Sequence, residues 1–272
     1  MFFYFYLCAY LNKTTYLYIM PARLILLFTV IFVFVSCKTE YSPVELSVFE
    51  YETHSYLIDK DMENSLKLSV RVPEIKKESA LRDSVMLFYR SMYTDSIHNP
   101  LTTPIDTAVY SILTEYIDRK ANDTEVVSFE KWSYDYAGRL VFENSKIVIF
   151  EALYSSKESG NHYDIYLLVA FDKETGARIK YSDLIKDEAG FLVAAERAFR
   201  TEYGLGRDDA LTEAGYAFKD EQFFLPDNFT FGEKSIIFLY NRYEIAPGGR
   251  GQVVLKIPLS KAKKYLNMNL IH

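Results

Sequence analysis

An uncharged apolar run near the start of the chain separates a leader from a region that must fold in water. The run extends from Leu24 to Val35, follows Met20-Pro-Ala-Arg, and ends at Ser36-Cys37. A basic start, about 12 apolar residues and a small residue before the cut are typical of a secretory signal peptide. A membrane-spanning helix needs about 20 apolar residues, so this run is short for one. We therefore predict a signal peptide over residues 1–36.

The start of translation is predicted at Met20, because residues 20–36 contain all three parts of the signal. Residues 1–19 are then an upstream extension that is not translated. If they are translated, the stretch from Phe2 to Val35 can form a longer hydrophobic anchor, and its orientation stays open.

The tetrapeptide Phe34-Val35-Ser36-Cys37 resembles a bacterial lipobox, in which a cysteine after a small residue is lipidated and becomes the new N-terminus. The resemblance implies lipid attachment at Cys37 and a short tether over residues 37–45. Several acyl chains hold a protein on a membrane far more firmly than one. We expect a lipoprotein of the bacterial envelope, facing the periplasm or the cell surface. The alternative is a lone cysteine at the end of an uncleaved anchor helix.

Charge and cysteine content narrow the classes of partner and fold. The net charge is −6, whereas a nucleic-acid-binding surface needs a basic face, so no nucleic-acid partner is expected. The only cysteines are Cys8 and Cys37, so no disulfide can stabilise the region that follows. That region must depend on its hydrophobic core, and it is long enough to bury one.

Apolar periodicity after residue 45 predicts strands grouped around a few helices. A bend near Tyr136–Arg139 is expected to join two strands, and Gly176 suits a tight turn with positive φ. Ser182 or Asp183 can cap the segment that follows, and Phe191, Leu192, Ala195 and Phe199 form the buried face of the next helix, which Gly204 ends. The predicted strands are 47–57, 65–72, 126–136, 140–154, 163–171, 177–181, 223–225, 229–231, 235–240 and 252–257, and the predicted helices lie near 78–92, 107–120, 187–203 and 258–265.

This order of elements predicts an α+β fold with largely antiparallel sheets, because strands and helices do not alternate as regular βαβ units.

Several motifs in the second half of the chain resemble a known family. They are residues 159–162 (SGNH), 171–176 (FDKETG) and 181–185 (YSDLI), then 237–249 (IFLYNRYEIAPGG) and 254–258 (VLKIP). In this order they resemble the extracytoplasmic domain of RsiV-type anti-sigma factors. The same domain precedes the catalytic domain of PdaC-type peptidoglycan deacetylases, after a region whose arrangement of elements is similar to residues 46–158 here.

The resemblance implies two α/β lobes outside the cytoplasm: a PdaC-like lobe over residues 46–158 and an RsiV-like domain over residues 159–268. In the anti-sigma relatives this region binds lysozyme, and in the deacetylases it accompanies cell-wall chemistry. The chain departs from both patterns, since we find no sigma-binding segment and no deacetylase domain. The usual Gly-Gly-Ala-His also reads Ser159-Gly160-Asn161-His162.

Candidate ligand-binding residues lie on the resembling motifs. His162 either donates to a backbone carbonyl or takes part in catalysis. The segment Gly248–Gly251 is either a flexible turn between strands or a ligand-facing loop in which Arg250 meets an acidic group. Tyr216, Tyr240 and Tyr243 either pack in the core or form an aromatic platform for sugar rings, as aromatic residues do at binding sites. Glu244 and Asp183 are carboxylates that could form an acid/base pair.

No arrangement of residues in the sequence specifies a reaction. The histidines His54, His98, His162 and His272 do not have the HExxH spacing of a zinc site, no Gly-x-Ser-x-Gly elbow is present, and no cofactor is expected. We therefore expect a non-catalytic envelope lipoprotein that binds a protein or a cell-wall glycan. The alternatives are a cell-wall-active hydrolase or deacetylase-accessory protein, and a structural lipoprotein of an envelope complex.

Overall fold

The computed structural model describes residues 42–56, 65–93, 102–109, 112, 114, 118, 132–158 and 160–271. Cys37, the leader, His98, His272 and most of the helix predicted near 107–120 lie outside these residues. None of the described helices is long and apolar enough to cross a membrane.

A six-stranded sheet forms the centre of the fold, with its strands in sequence order from β1 to β6. Neighbouring strands are antiparallel except β2 and β3, which are parallel. The predicted α+β class with mostly antiparallel sheets is therefore confirmed. The strands are β1 Leu46–Tyr56, β2 Ser65–Ile75, β3 Trp132–Glu143, β4 Ile147–Glu158, β5 Asn161–Asp172 and β6 Arg178–Ile179.

A smaller antiparallel sheet follows in the order β7-β8-β9, and short helices connect the two sheets. The helix α3, Glu188–Glu202, is capped by Asp187, whose carboxylate accepts from the Gly190 N–H at 3.0 Å. Asp183 instead closes the preceding 3-10 turn by accepting from the Lys180 N–H. The elements are α1 Ala80–Arg90, α2 Ile105–Ala108, α3 Glu188–Glu202, β7 Phe229–Phe231, β8 Ser235–Tyr240, β9 Val253–Pro258 and α4 Leu259–Ala262.

Two hydrophobic cores cover opposite faces of the central sheet. Side chains alternate between the faces of a strand, so Ile147 and Ile149 join one core while Val148 and Phe150 join the other. The first core contains α3 and the small sheet, and the second contains α1. Since both faces of β4 are covered, its first residues are all apolar and fully buried. We call these cores the C-terminal core and the N-terminal core.

The predicted boundary between residues 158 and 159 lies in the tight turn that joins β4 to β5. Both strands of this hairpin contribute residues to both cores. The two predicted lobes thus share one sheet, which residue periodicity within single strands does not reveal.

The predicted bend at Tyr136–Arg139 is wrong, because β3 continues through it and turns at residues 144–146. Gly138 has a different use. A Cβ atom at this position would lie 2.3 Å from the ring of Tyr89, which packs across β3 from α1. The glycine therefore marks a close approach between elements rather than a turn.

The buried face of α3 is largely as predicted. Phe191, Ala195 and Phe199 are fully buried, Leu192 is half-buried, and Gly204 follows the helix with positive φ. The strand predicted over residues 223–225 does not form, although Phe223 and Leu225 are buried in the C-terminal core.

Candidate functional site

The outer edge of β5 is only partly covered. At its C-terminal end, Ala170 and Phe171 pair with the two-residue strand β6. Over its first half, from Asn161 to Ile165, the described residues provide no partner strand and no hydrogen bond to the backbone on this side. We call residues Asn161–Ile165 the open edge.

Two asparagine side chains cover the middle of β5. Asn241 accepts from the Tyr166 N–H at 2.8 Å and donates to the Tyr166 carbonyl at 2.9 Å, so it imitates a paired residue. Asn228 accepts from the Leu168 N–H at 3.0 Å and also donates to the Tyr166 carbonyl. Because backbone groups alternate in direction along an antiparallel strand, those of His162 and Asp164 point to the same side as those of Tyr166.

Apolar side chains extend to the open edge on the N-terminal-core face of the sheet. Tyr163 and Ile165 are 47% and 42% exposed, which is unusual for large apolar residues on a strand. Ile165 lies opposite Tyr154 of β4, whose ring stacks on Tyr134 at 6.2 Å between centroids. The open edge therefore combines unpaired backbone groups with an apolar surface, which is the pattern of an association site.

His162 lies on the opposite face of β5 and is 60% exposed. Its Nε2 atom is 3.0 Å from Ser155 Oγ and 3.0 Å from Asp164 Oδ1. In a catalytic triad the serine and the carboxylate contact different ring nitrogens, so that the carboxylate orients the base. Here both use the same nitrogen, and the arrangement does not match that of a nucleophile activated by a relay.

The turn after β8 borders the open edge, because its first residue is Asn241. Glu244 closes this turn by accepting from the Asn241 N–H at 2.8 Å. Partial burial raises the pKa of Glu244, although the Asn241 N–H opposes the shift. Tyr243 is 60% exposed and has φ +69, which is uncommon for a residue with a side chain. Such strain is often found at functional sites, and the partly exposed Tyr243 ring packs against Gly248 with the Arg242 guanidinium 5.1 Å from its centroid.

The other predicted site residues, Tyr216, Tyr240 and Arg250, pack in or against the C-terminal core. Tyr240 is fully buried, and its hydroxyl donates to the Phe224 carbonyl; burial raises its pKa. Tyr216 is also buried, so these two do not form an exposed platform with Tyr243. Arg250 lies over the Tyr216 ring at 4.6 Å and donates to the Ala214 carbonyl at 2.7 Å, which holds the glycine-rich turn in place.

A cavity of about 130 Å³ lies between α1 and the ends of β1 and β2. Its lining is mostly apolar, and its single carboxylate among the described residues is Glu74. It therefore does not contain the cluster of carboxylates or histidines that would favour an enzyme. No group of three histidine, cysteine or acidic residues among those described could hold a metal ion.

His162, Tyr243 and Glu244 are predictable as site residues from the sequence, whereas Tyr163, Ile165 and Asn241 are not. In sequence, Tyr163 and Ile165 follow the alternation of an ordinary half-buried strand. A strand forms a sheet edge when no other strand pairs with one of its sides, and apolar periodicity does not predict which strands pair. The available signal was the pair of asparagines at positions 228 and 241, which directly precede β7 and directly follow β8.

Comparison with known proteins identifies one matching family. Residues 181–260 match DUF3298, a family described as protein of unknown function. The matched segment begins after β6 and contains α3, the small sheet and the turn of Tyr243. No curated protein matches the chain.

Two solved structures of DUF3298 family proteins are similar to the chain over most of its length. One is from Bacteroides fragilis, with 15% identity and a TM-score of 0.66, and covers 85% of this chain and 96% of its own. The other is from Pseudomonas aeruginosa, with 15% identity and a TM-score of 0.60, and covers 85% of this chain and 97% of its own. At this identity the similarity shows a shared fold, which includes elements before residue 181.

Proposed function

We propose that this protein is a non-catalytic bacterial envelope lipoprotein that binds a protein ligand by adding an extended segment of that ligand to the open edge. The observation that carries the proposal is the open edge Asn161–Ile165, where Tyr163 and Ile165 are exposed beside backbone groups that no other described residue pairs on this side. Strand addition gains affinity from main-chain hydrogen bonds and gains specificity from alternate side chains.

The surroundings of the open edge support recognition rather than chemistry. Ser155 and Asp164 both contact the same ring nitrogen of His162, which is not the geometry of a triad. The exposed Tyr243 lies on the turn whose Asn241 ends the open edge at Tyr166. Exposed tyrosines are frequent at protein interfaces, because one ring supplies both apolar area and a polar end. A cell-wall-active hydrolase or deacetylase-accessory protein, and a structural lipoprotein of an envelope complex, are the competing functions.

Anchoring and location follow from the leader. A lipid on Cys37 would hold the protein on an envelope membrane, with the folded region facing the periplasm or the cell surface. The resemblance of the second half of the chain to RsiV-type and PdaC-type domains suggests two ligands to test, a lysozyme-like protein and peptidoglycan. The net charge of −6 makes nucleic acid an improbable partner on electrostatic grounds.

The test uses a chain that begins at residue 38 and so contains the whole compact unit of residues 41–272. Retention is measured on immobilised lysozyme and on insoluble peptidoglycan. Asp164→Pro removes an outward N–H for which the described part of the chain provides no partner, and proline is tolerated at such edge positions. Asp164→Ala is the matched control, because it removes the carboxylate and keeps the N–H.

Retention that is lost in Asp164→Pro and kept in Asp164→Ala would support strand addition. Retention by peptidoglycan that is equal in both variants would favour a glycan site elsewhere on the protein. If neither material retains the parent chain, the ligands suggested by the resemblance are rejected.

A further inference from the structure

We infer that the open edge also pairs with the open edge of a second copy of this chain, in the antiparallel register that places His162 opposite Asp164 of the other copy. The inference concerns the same edge as the proposed function, but it names a different occupant. Three features of the edge select a second copy and this register.

The first feature is the length of the open edge. It begins after Gly160, where positive φ of +81 turns the chain out of the strand. It ends at Tyr166, whose backbone groups are already bonded to Asn241. In the register centred on Tyr163, Asn161 of each copy lies opposite Ile165 of the other. The turn at Gly160 of one copy therefore falls where Asn241 closes the edge of the other.

The second feature is hydrogen bonding. The outward-pointing residues of the open edge are His162 and Asp164. In an antiparallel ladder, two directly opposed residues that point toward each other exchange both N–H···O bonds. The register centred on Tyr163 forms two such pairs, each between His162 and Asp164. A register shifted by two residues in either direction forms only one such pair within the open edge. Its next pair would need either Gly160, in the turn, or Tyr166, whose backbone groups are already bonded to Asn241.

The third feature is side-chain complementarity. The inferred register places an imidazole beside a carboxylate in both His162–Asp164 pairs, so each donor–acceptor contact that His162 and Asp164 make within one chain at 3.0 Å gains a matching neighbour across the strands. The shifted registers place Asp164 opposite Asp164 or His162 opposite His162. On the other face, the exposed Tyr163 meets Tyr163 of the second copy, and aromatic cross-strand pairs also stabilise a sheet. Such an interface is isologous, as in most symmetric dimers.

The edge is short, so the pairing is weak in dilute solution and is best trapped covalently. The chain that begins at residue 38 has no cysteine, which makes single cysteines specific reporters. Tyr163 opposes itself as a non-hydrogen-bonded pair with Cα atoms about 4.5 Å apart, within the range of a disulfide. Ile165 lies far from itself in this register but opposite Asn161.

The experiment compares Tyr163→Cys with Ile165→Cys under oxidised glutathione, with dimer measured on non-reducing gels. We expect roughly tenfold more dimer from Tyr163→Cys, because only that pair meets disulfide geometry. A mixture of Asn161→Cys and Ile165→Cys chains is expected to cross-link to each other. Adding Asp164→Pro to Tyr163→Cys is expected to lower the yield to that of Ile165→Cys. Circular dichroism verifies that each variant is folded.

Absent or equal cross-linking by Tyr163→Cys and Ile165→Cys would overturn the self-pairing. It would indicate instead that His162 and Asp164 protect the edge from association, as charged residues do on other edge strands. Ligand retention by the parent chain would then still support the proposed function. Conversely, cross-linking in the inferred register without retention of lysozyme or peptidoglycan would leave self-pairing as the use of the edge.

Discussion

Single residues in this protein are constrained by close approaches between elements. Gly138 is under the ring of Tyr89, whose hydroxyl donates to the Glu151 carbonyl at 2.8 Å across the neighbouring strand. The absence of a side chain at Gly138 thus lets α1 bond directly to β4 over β3.

Gly138→Ala is expected to lower the free energy of unfolding by about 1–3 kcal/mol, because the added methyl group must displace the Tyr89 ring. Urea unfolding measures the change. Gly249→Ala is the matched control, since no atom lies within 4 Å of the position of its Cβ, and its effect is expected within about 0.5 kcal/mol. Equal effects of the two substitutions would contradict the packing argument.

Glu143 and Lys173 form a largely buried ion pair where residues 42–44 meet the central sheet. Their side chains are 8% and 14% exposed and their charged atoms are 2.5 Å apart. Glu143 also accepts from the Val44 N–H at 2.8 Å, and Lys173 donates to the Ser42 carbonyl at 3.0 Å. The pair therefore holds the first described residues against the central sheet.

Glu143→Gln is expected to destabilise the protein by about 3 kcal/mol, because it leaves the buried charge of Lys173 without its counter-ion. The control is Glu50→Gln, whose partner Arg71 is 75% exposed, and its expected cost is below about 1 kcal/mol. Both are measured by thermal and urea unfolding. A cost for Glu143→Gln as small as that of Glu50→Gln would show that the pair contributes little.

The turn after β5 depends on the carboxylate of Asp172. Its Oδ1 atom accepts from the N–H groups of Glu174 and Thr175 and from the Thr175 hydroxyl, at 3.0, 2.7 and 2.8 Å. Partial burial acts to raise the pKa of Asp172, but the hydrogen bonds from Thr175 and Glu174 outweigh it, and the pKa is lowered.

A lowered pKa means that the stabilisation by Asp172 is complete above the unfolded pKa of about 4 and is lost as the pH falls through the folded value. We expect Asp172→Asn to cost about 1 kcal/mol at pH 7. The difference from the parent chain is expected to shrink as the pH falls below about 4, because Asp172 of the parent loses its charge as the pH approaches its lowered folded pKa. Urea unfolding at pH 7 and pH 3 measures both differences, and a pH-independent cost would contradict this origin.

At the scale of elements, β5 is the strand on which the site depends. One edge of β5 is fully paired with β4. Along the other edge, no described residue covers the first stretch, Asn241 and Asn228 bond to the middle, and β6 pairs with the C-terminal end. Side-chain amides can cover an edge because they carry a donor and an acceptor, as a peptide group does.

Asn241→Ala is expected to uncover the N–H of Tyr166, while the Tyr166 carbonyl keeps its hydrogen bond from Asn228. The lost hydrogen bonds are expected to cost about 1–3 kcal/mol, and exchange of the Tyr166 amide hydrogen is expected to accelerate. Urea unfolding and hydrogen exchange measure these effects. Asn269→Ala, at an exposed position, is the control, and equal exchange at Tyr166 in both variants would disprove the role of Asn241.

At the scale of the whole molecule, the sheet shared by two cores places the open edge and the turn of Tyr243 on one side of β5. The Tyr243 turn lies in the segment that matches DUF3298, whereas the strands before residue 181 complete the sheet. We therefore expect the site to need both halves of the chain, even though the family match covers one.

The anchor is tested on the intact protein. We expect the N-terminal residue of the protein from bacterial membranes to be an acylated Cys37, detected by mass spectrometry. Cys37→Ala is expected to lose lipid, because the acceptor thiol is absent. If Cys37→Ala protein whose leader has been cleaved still sediments with membranes, lipid is not the anchor.

Local chemistry was readable from the sequence. The strand over residues 163–171, the buried face of α3 and the turn at Gly176 were predicted correctly, because each depends on residues a few positions apart. The bend predicted at Tyr136–Arg139 was wrong. A glycine stands at position 138 because the ring of Tyr89 packs against it, and Tyr89 lies 49 positions earlier in the chain.

The sequence by itself determined the fold class and, because no cysteine follows Cys37, the dependence of the folded region on its core; the leader that ends at Cys37 stays a prediction. Only the tertiary structure decided that Tyr240 and Arg250 are structural, that His162 has no triad geometry, and that β5 has an open edge. The physical reason is that strand periodicity states which face of a strand is apolar, but not which strand, if any, lies beside it.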